Sequence, residues 1–174
     1  MRQICLDLET TGLSPSDGHR IVEIGCVEIV DRKVTGNEFH CYINPERKCD
    51  AGAFKVHGLS DEFLEKQEKI EHFIDYFHYF MRDADEIIIH NARFDLSFLR
   101  HEQVTNENYG WVDFVEPGAI PIICTMKLAK EKGHQKTSLN ALCEYYGIDI
   151  SHRTSHGALT DAELLAKLYL RMTE

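Results

Sequence analysis

From Arg2 to Glu9 the residues Ile4, Leu6 and Leu8 alternate with Gln3, Cys5, Asp7 and Glu9, the period-two pattern of a strand with one face against a core. Two further β-rich runs, Arg20 to Val30 and Val34 to Ile43, are separated by Asp31-Arg32-Lys33, and that spacing predicts a hairpin. Asn44 to Gly58 contains Pro45, Gly52 and few periodic apolar positions. It reads as an irregular loop, long enough to hint at a function. Ser60-Asp61-Glu62 is a helix-start signal, and Ile70, Phe73, Ile74, Phe77, Phe80 and Met81 mark the apolar stripe of a following helix. Glu86 to Ile89 reads as a short buried strand, Phe94 to Gln103 as a helix, Asn106 to Gly118 as a loop and Ile120 to Cys124 as another short strand. Thr125 to Lys132 and Ser138 to Tyr146 are helical by composition, the second closed by Gly147, and Ala158 to Met172 is the last helix. Strands first, then alternating helices and strands, with no repeat or low-complexity linker, predict one α/β domain over residues 1–174. Its sheet is mixed and flanked by helices.

Composition narrows the class. With 174 residues and 43% hydrophobic side chains the chain can bury one sizeable core, which excludes disorder and a small disulfide-stapled scaffold. Its 19 Lys+Arg against 29 Asp+Glu give a formal charge of −10. Taken alone, that charge argues against holding nucleic acid by bulk electrostatics. Apolar runs such as Ile87-Ile88-Ile89 fall far short of the roughly 20 residues a membrane span needs. Asp7 comes too early for the apolar core of a signal peptide, so the expected compartment is the cytoplasm. The six cysteines form no C-x-x-C pair, and reduced structural thiols are expected rather than a zinc site.

The chemistry lies in acids set on core faces. Asp7 and Glu9 are two apart on the first strand and share a face of the sheet. A lone D-x-E is as readily an ordinary charged strand face, but Thr10-Thr11-Gly12 then ends the strand in a turn where backbone commonly approaches a ligand. Asp95 shares a helix face with Phe98 and Leu99, and Asp161 sits inside the stripe of Ala158, Leu165, Leu168 and Met172. Asp161 alone could be a helix N-terminal acid meeting the dipole. Four carboxylates crowded together repel unless cations hold them, and all-oxygen ligands suit Mg²⁺ or Mn²⁺. Two such ions about 3.5 to 4 Å apart are the usual device for in-line displacement at a phosphodiester. His156, five residues before Asp161, is the candidate general base, although most of the ten histidines must be loop or capping residues.

These segments also carry a resemblance. Leu6-Asp7-Leu8-Glu9-Thr10-Thr11-Gly12-Leu13, His90-Asn91-Ala92-Arg93-Phe94-Asp95 and His156-Gly157-Ala158-Leu159-Thr160-Asp161 resemble the three motifs of the DEDDh 3′-to-5′ exonucleases. Phe54 to Leu59 and Ser138 to Cys143 are similar to the proofreading epsilon subunits of bacterial DNA polymerase III. The resemblance implies an RNase H-like fold, with Asp7, Glu9, Asp95 and Asp161 as metal-site acids and His156 as general base. Asp7, Glu9 and Asp161 would touch metal directly, and Asp95 more through water. The turn of Thr10, Thr11, Gly12 and Leu13 would wedge against the terminal nucleotide, which His57, Asn91 and Phe94 would also contact. Gly52 stands where the family implies an acid on the 3′-terminal sugar. The implied activity is two-metal removal of nucleoside 5′-monophosphates from single-stranded or frayed DNA 3′ ends. The implied partners are alpha and theta-type polymerase subunits. An exoribonuclease or a standalone repair exonuclease would carry the same motifs, and a non-catalytic binding module would keep only the fold. Epsilon subunits bear clamp and polymerase contacts on a tail after the last helix, where this chain has Glu174. Lys127, Lys130, Lys132 and Lys136 form a basic stretch that reads as a solvated face or a phosphate guide. Arg93, Arg100 and Arg153 lie near the motifs and are candidate substrate contacts.

Overall fold

A computed structural model describes residues 1–105, 119–151, 153 and 155–174. Strands β1 (Arg2–Thr10), β2 (Ile21–Val30) and β3 (Lys33–Tyr42) form the antiparallel half of a five-stranded sheet. Strands β4 (Glu86–Ile89) and β5 (Ile122–Cys124) extend it in parallel from β1, giving the order β3-β2-β1-β4-β5. The β2–β3 turn is made at Asp31 and Arg32, whose positive φ of 47° and 64° match the twist of a two-residue hairpin. The helices are α1 (Ala51–His57), α2 (Asp61–Leu64), α3 (Ile74–Met81), α4 (Ala92–Thr105), α5 (Thr125–Glu131), α6 (Leu139–Tyr145) and α7 (Ala158–Met172).

The alternation along β1 divides the molecule into layers. Ile4, Leu6 and Leu8 face a core shared with Phe77 of α3 and with Phe98 and Leu99 of α4. Cys5, on the opposite face, packs with Val27, Ile29 and Ile88 against Ala162, Leu165 and Ala166 of α7. Asp7 and Glu9 have the parity of Cys5, so strand periodicity alone directs them toward α7. A third apolar cluster, with Ala129, Leu142, Leu164 and Leu168, joins α5 and α6 to the outer face of α7.

Two local expectations change. The segment expected to be an irregular loop, Asn44 to Gly58, contains helix α1, closed by Gly58 at φ 74°. It buries His57 alone, while Phe54 and Val56 remain exposed, so no apolar stripe announced it. The stretch from Ser60 to Met81 is broken into α2, a single 3₁₀ turn at Ile70–His72 and α3. Ser60 does cap α2, its hydroxyl accepting from the Phe63 N–H at 3.2 Å. The break follows from competition for carbonyls. Asn44 donates from its side chain to the Glu65 carbonyl and from its backbone to the Glu68 carbonyl, at 3.2 and 2.9 Å. The expected loop from Asn106 to Gly118 lies outside the described residues. All six cysteines are free thiols, and among the described residues no helix is long and apolar enough to cross a membrane.

Candidate active site

The site forms where α7 descends onto the sheet. Gly25 pairs with Asp7 across β1 and β2, and a Cβ there would collide with the backbone of Ala158 and Leu159. A strand glycine marks such a close approach. Because Gly25 has no side chain, the first turn of α7 reaches β1 and brings buried Asp161 beside Glu9. One ligand atom each from Glu9, Asp161 and His156 lie within 4.8 Å of one another. Asp95, in the first turn of α4, is buried and accepts the backbone N–H of Leu8, so it faces the same strand.

The carboxylates disturb one another. Burial, and then the charges of Asp95, Asp161 and Glu9, push the Asp7 carboxyl well above its ordinary range. Burial and Asp161 push Glu9 up to about 8, with Glu23 adding to the effect. Glu23 pairs with Glu9 across β1 and β2, and His40 Nε2 lies 2.8 Å from its Oε1. Burial also raises Asp95, against the backbone bonds it accepts. Raised carboxyls grouped in a cleft mark a site built for cations.

Arg153 supplies a cation from the chain itself. Its Nε donates to Asp161 Oδ1 at 2.7 Å and its Nη2 to Oδ2, a bidentate fork. The same Nη2 lies 2.7 Å from His156 Nδ1, and Nη1 donates to the side-chain oxygen of Asn140, the second residue of α6. Arg153, a candidate substrate contact by sequence, is thus turned onto a candidate site acid. The His156 ring is 47% exposed, with Nδ1 3.3 Å from Asp161 Oδ2. Burial and Arg153 hold its pKa below the usual histidine value, and Asp161 opposes them. Its backbone N–H donates to the Val56 carbonyl at 3.2 Å, so the unforeseen helix α1 fixes the loop carrying the candidate base.

Beside the acids is a cavity of about 470 Å³, lined by Glu9, Thr10, Gly12, Leu13, Asp50, Gly52, Ala53, Val56, His57 and Phe94. Leu13 projects at its mouth, 86% exposed. The turn beneath it is braced from behind. Thr10 Oγ1 donates to the Gly12 carbonyl at 2.7 Å, and Thr11, fully buried, pairs its hydroxyl with His19 Nδ1 at 3.0 Å. His19 Nε2 reaches the Asp50 carboxylate at 3.3 Å, while the Asp50 N–H donates to the Thr11 carbonyl at 2.8 Å. A Cβ on Gly12 would strike the His19 ring, so this turn requires glycine. His57 is buried with Nδ1 accepting from the Leu59 N–H at 3.0 Å, and burial lowers its pKa. A side chain at Gly52 would meet nothing within 4 Å, leaving that wall open. Asn91, with φ 61°, and Arg93 line a neighbouring groove with Leu13 and Phe94. His19, Glu23, Gly25 and Asp50 all shape the site and were missed from sequence; only Gly25, a glycine inside a strand, carried a readable signal. Lys127 and Lys130 are exposed on α5, whereas Lys132 and Lys136 border a separate groove with His134, Tyr145 and Tyr146.

Residues 4–169 match the exonuclease family of the RNase T type. The chain belongs to the exonuclease family. It is 44% identical to the DNA polymerase III subunit epsilon of Rickettsia typhi over 99% of this chain and 74% of that protein. The subunit epsilon of Escherichia coli K12 is 42% identical, over 99% of this chain and 71% of that protein. Identity and coverage of this order set the chain among the epsilon subunits, and it is a 3′-to-5′ exonuclease. Its architecture is that of solved exonucleases. A structure of exonuclease X with 5′-overhanging duplex DNA is similar at TM-score 0.75 and 24% identity, covering 98% of this chain and 90% of that one. One of exonuclease I reaches TM-score 0.83 at 16% identity, covering 99% and 40%. The RNase H-like mixed sheet expected from sequence is the fold observed.

Proposed function

We propose that this exonuclease removes nucleotides from DNA 3′ ends as nucleoside 5′-monophosphates, proofreading for DNA polymerase III. The observation that carries the reading is the convergence of Glu9, Asp161 and His156 within 4.8 Å beside a nucleotide-sized cavity. Asp7, Glu9 and Asp161, with Asp95 more remotely, are the residues that would hold two Mg²⁺ or Mn²⁺ ions, hard cations suited to carboxylate oxygens. Bound there, such ions supply Lewis-acid stabilisation of charge on the phosphate and the leaving 3′ oxygen.

The remaining roles belong to the chain. The Thr10 to Leu13 turn, braced by His19 and Asp50, stands against the terminal base and sugar, with Leu13 as the wedge. His57 and Phe94 line the pocket that orients the nucleotide, and Asn91 contacts the strand from the adjoining groove. His156, half in solvent, takes the proton of the attacking water. A net charge of −10 predicts short-lived contact with bulk DNA, which suits delivery to a primer end by alpha and theta-type polymerase subunits.

The test is release of mononucleotides, with Mg²⁺ present, from a single strand whose 3′ end is free but not from one whose 3′ end is blocked. Cleavage of the blocked strand would overturn the assignment, and matched RNA strands cut faster than DNA would favour a ribonuclease. Asp7→Ala should abolish metal-dependent hydrolysis. His156→Ala should lower turnover by about 10² to 10⁴, the range for loss of a general base.

A further inference from the structure

We propose that Arg153 is the built-in counter-ion of the metal-free site and competes with the divalent ion for Asp161. The inference rests on the metal reading above. Its own basis is the way this side chain is buried and shared out. The Arg153 side chain is 6% exposed, deeper than that of a surface arginine making a passing contact. Its fork occupies both oxygens of Asp161, the carboxylate that shares a candidate metal site with Glu9 and His156. Nη2 also faces His156 Nδ1 at 2.7 Å, so one guanidinium engages a candidate metal ligand and the candidate base together. An ion taking Asp161 must draw its oxygens away from Arg153, and two cations so close repel.

In the absence of a divalent ion the guanidinium sets one positive charge directly against Asp161, among the neighbouring acids. Nη1 is held separately by Asn140 on α6, so a displaced Arg153 remains tethered at the edge of the site. Two roles for the arginine predict opposite signs. A residue that merely orients Asp161 would weaken metal binding when removed, whereas a competitor would strengthen it.

The measurement is Mn²⁺ affinity by paramagnetic resonance titration on the whole chain, with thermal melts in chelator and in Mn²⁺. Arg153→Gln should bind Mn²⁺ about tenfold more tightly or better. It should also melt lower than wild type in chelator and gain more from added Mn²⁺. Arg153→Lys, which keeps the charge but loses the fork, should fall between. Asn140→Ala should shift affinity in the same direction by less. Unchanged or weaker Mn²⁺ binding by Arg153→Gln overturns the proposal. If that variant does not fold in chelator, the sign of the change in Arg153→Lys and Asn140→Ala decides in the same way. Wild-type protein that binds no Mn²⁺, or binds it equally after Asp161→Asn, overturns the metal reading itself.

Discussion

Among the described residues, two arginine forks grip buried carboxylates. Arg20, immediately before β2, donates from Nε and Nη2 to the two oxygens of Glu102 on α4 at 2.6 and 2.7 Å. Arg153 grips Asp161 on α7 with the same two atoms. Glu102 and Asp161 are similarly buried, at 1% and 3% exposure. The surroundings differ. Arg20 ties the end of the sheet to α4, with Glu46 and Glu71 acting on it only through longer-range attraction. Around Asp161 stand Glu9, Asp7 and Asp95, whose carboxyls are all pushed upward, by burial first, so the fork there holds one acid of a crowded group that resists further ionisation. The same geometry is therefore a structural tie in one place and a provisional arrangement in the other. What distinguishes them is the charge balance of the neighbourhood rather than the bond lengths.

The largest expected effect tests the structural side. Arg20→Ala leaves the Glu102 carboxylate buried without its fork, which should cost about 3–5 kcal/mol in urea unfolding. The loss should be the same in chelator and in Mg²⁺. If added Mg²⁺ restored the stability of Arg20→Ala, the two forks would not differ in the way described.

Next in size is the approach that creates the imbalance. Gly25→Ala places a methyl group into the Ala158 and Leu159 backbone and must lift the first turn of α7 from β1. Overpacking of this kind costs about 1–3 kcal/mol. Because the lifted turn carries Asp161, Gly25→Ala should lose exonuclease turnover and Mn²⁺ affinity together. A variant destabilised to that extent but fully active would show that the acids tolerate separation.

How much of this was readable in the sequence depends on how each residue is placed. The faces of β1 and α7 follow from periods of two and 3.6, so Asp7, Glu9 and Asp161 could be aimed at a common interior. The hairpin, the short strands β4 and β5 and the bounds of α7 followed from the same signals. Helix α1 was hidden because it packs almost nothing into the core: Phe54 and Val56 stay exposed and His57 is its buried residue. The Arg153 fork was hidden because its partner, eight positions on, is brought near by a helix-entry loop that obeys no period. Long-range braces such as His19 with Asp50 depend on two loops meeting, which no local pattern encodes.

A graded effect is expected from pH. In metal-free protein Glu9 has its folded pKa raised to about 8, and Asp7 and Asp95 are raised as well. Below the ordinary carboxylate range these groups are protonated whether folded or not, and no penalty arises. As pH climbs toward 8 the unfolded chain ionises freely while the folded one resists, so stability falls across that window. In chelator the Tm should drop from pH 6 to pH 8, by about 2–4 °C for each kcal/mol lost in a chain of this size. Mg²⁺ should flatten the curve. A slope unchanged by Mg²⁺ would mean that the raised acids and the metal site are different groups.

The smallest expected change falls on the basic stretch, where charge is exposed and neither fork is involved. Lys130 lies in the last turn of α5 and is exposed, so Lys130→Glu exchanges a cation that suits the helix C-terminus for an acid that does not. That should cost about 0.3–1 kcal/mol at low salt and less as salt screens it. If α5 is only a solvated face, the salt dependence of DNA cleavage by Lys130→Glu should match that of wild type. A shallower slope would instead count a lost phosphate contact, since each one contributes close to one unit of the logarithmic salt dependence. Exposed charge would then take part in holding the strand, and the contrast between balanced and unbalanced regions would extend from the interior to the surface.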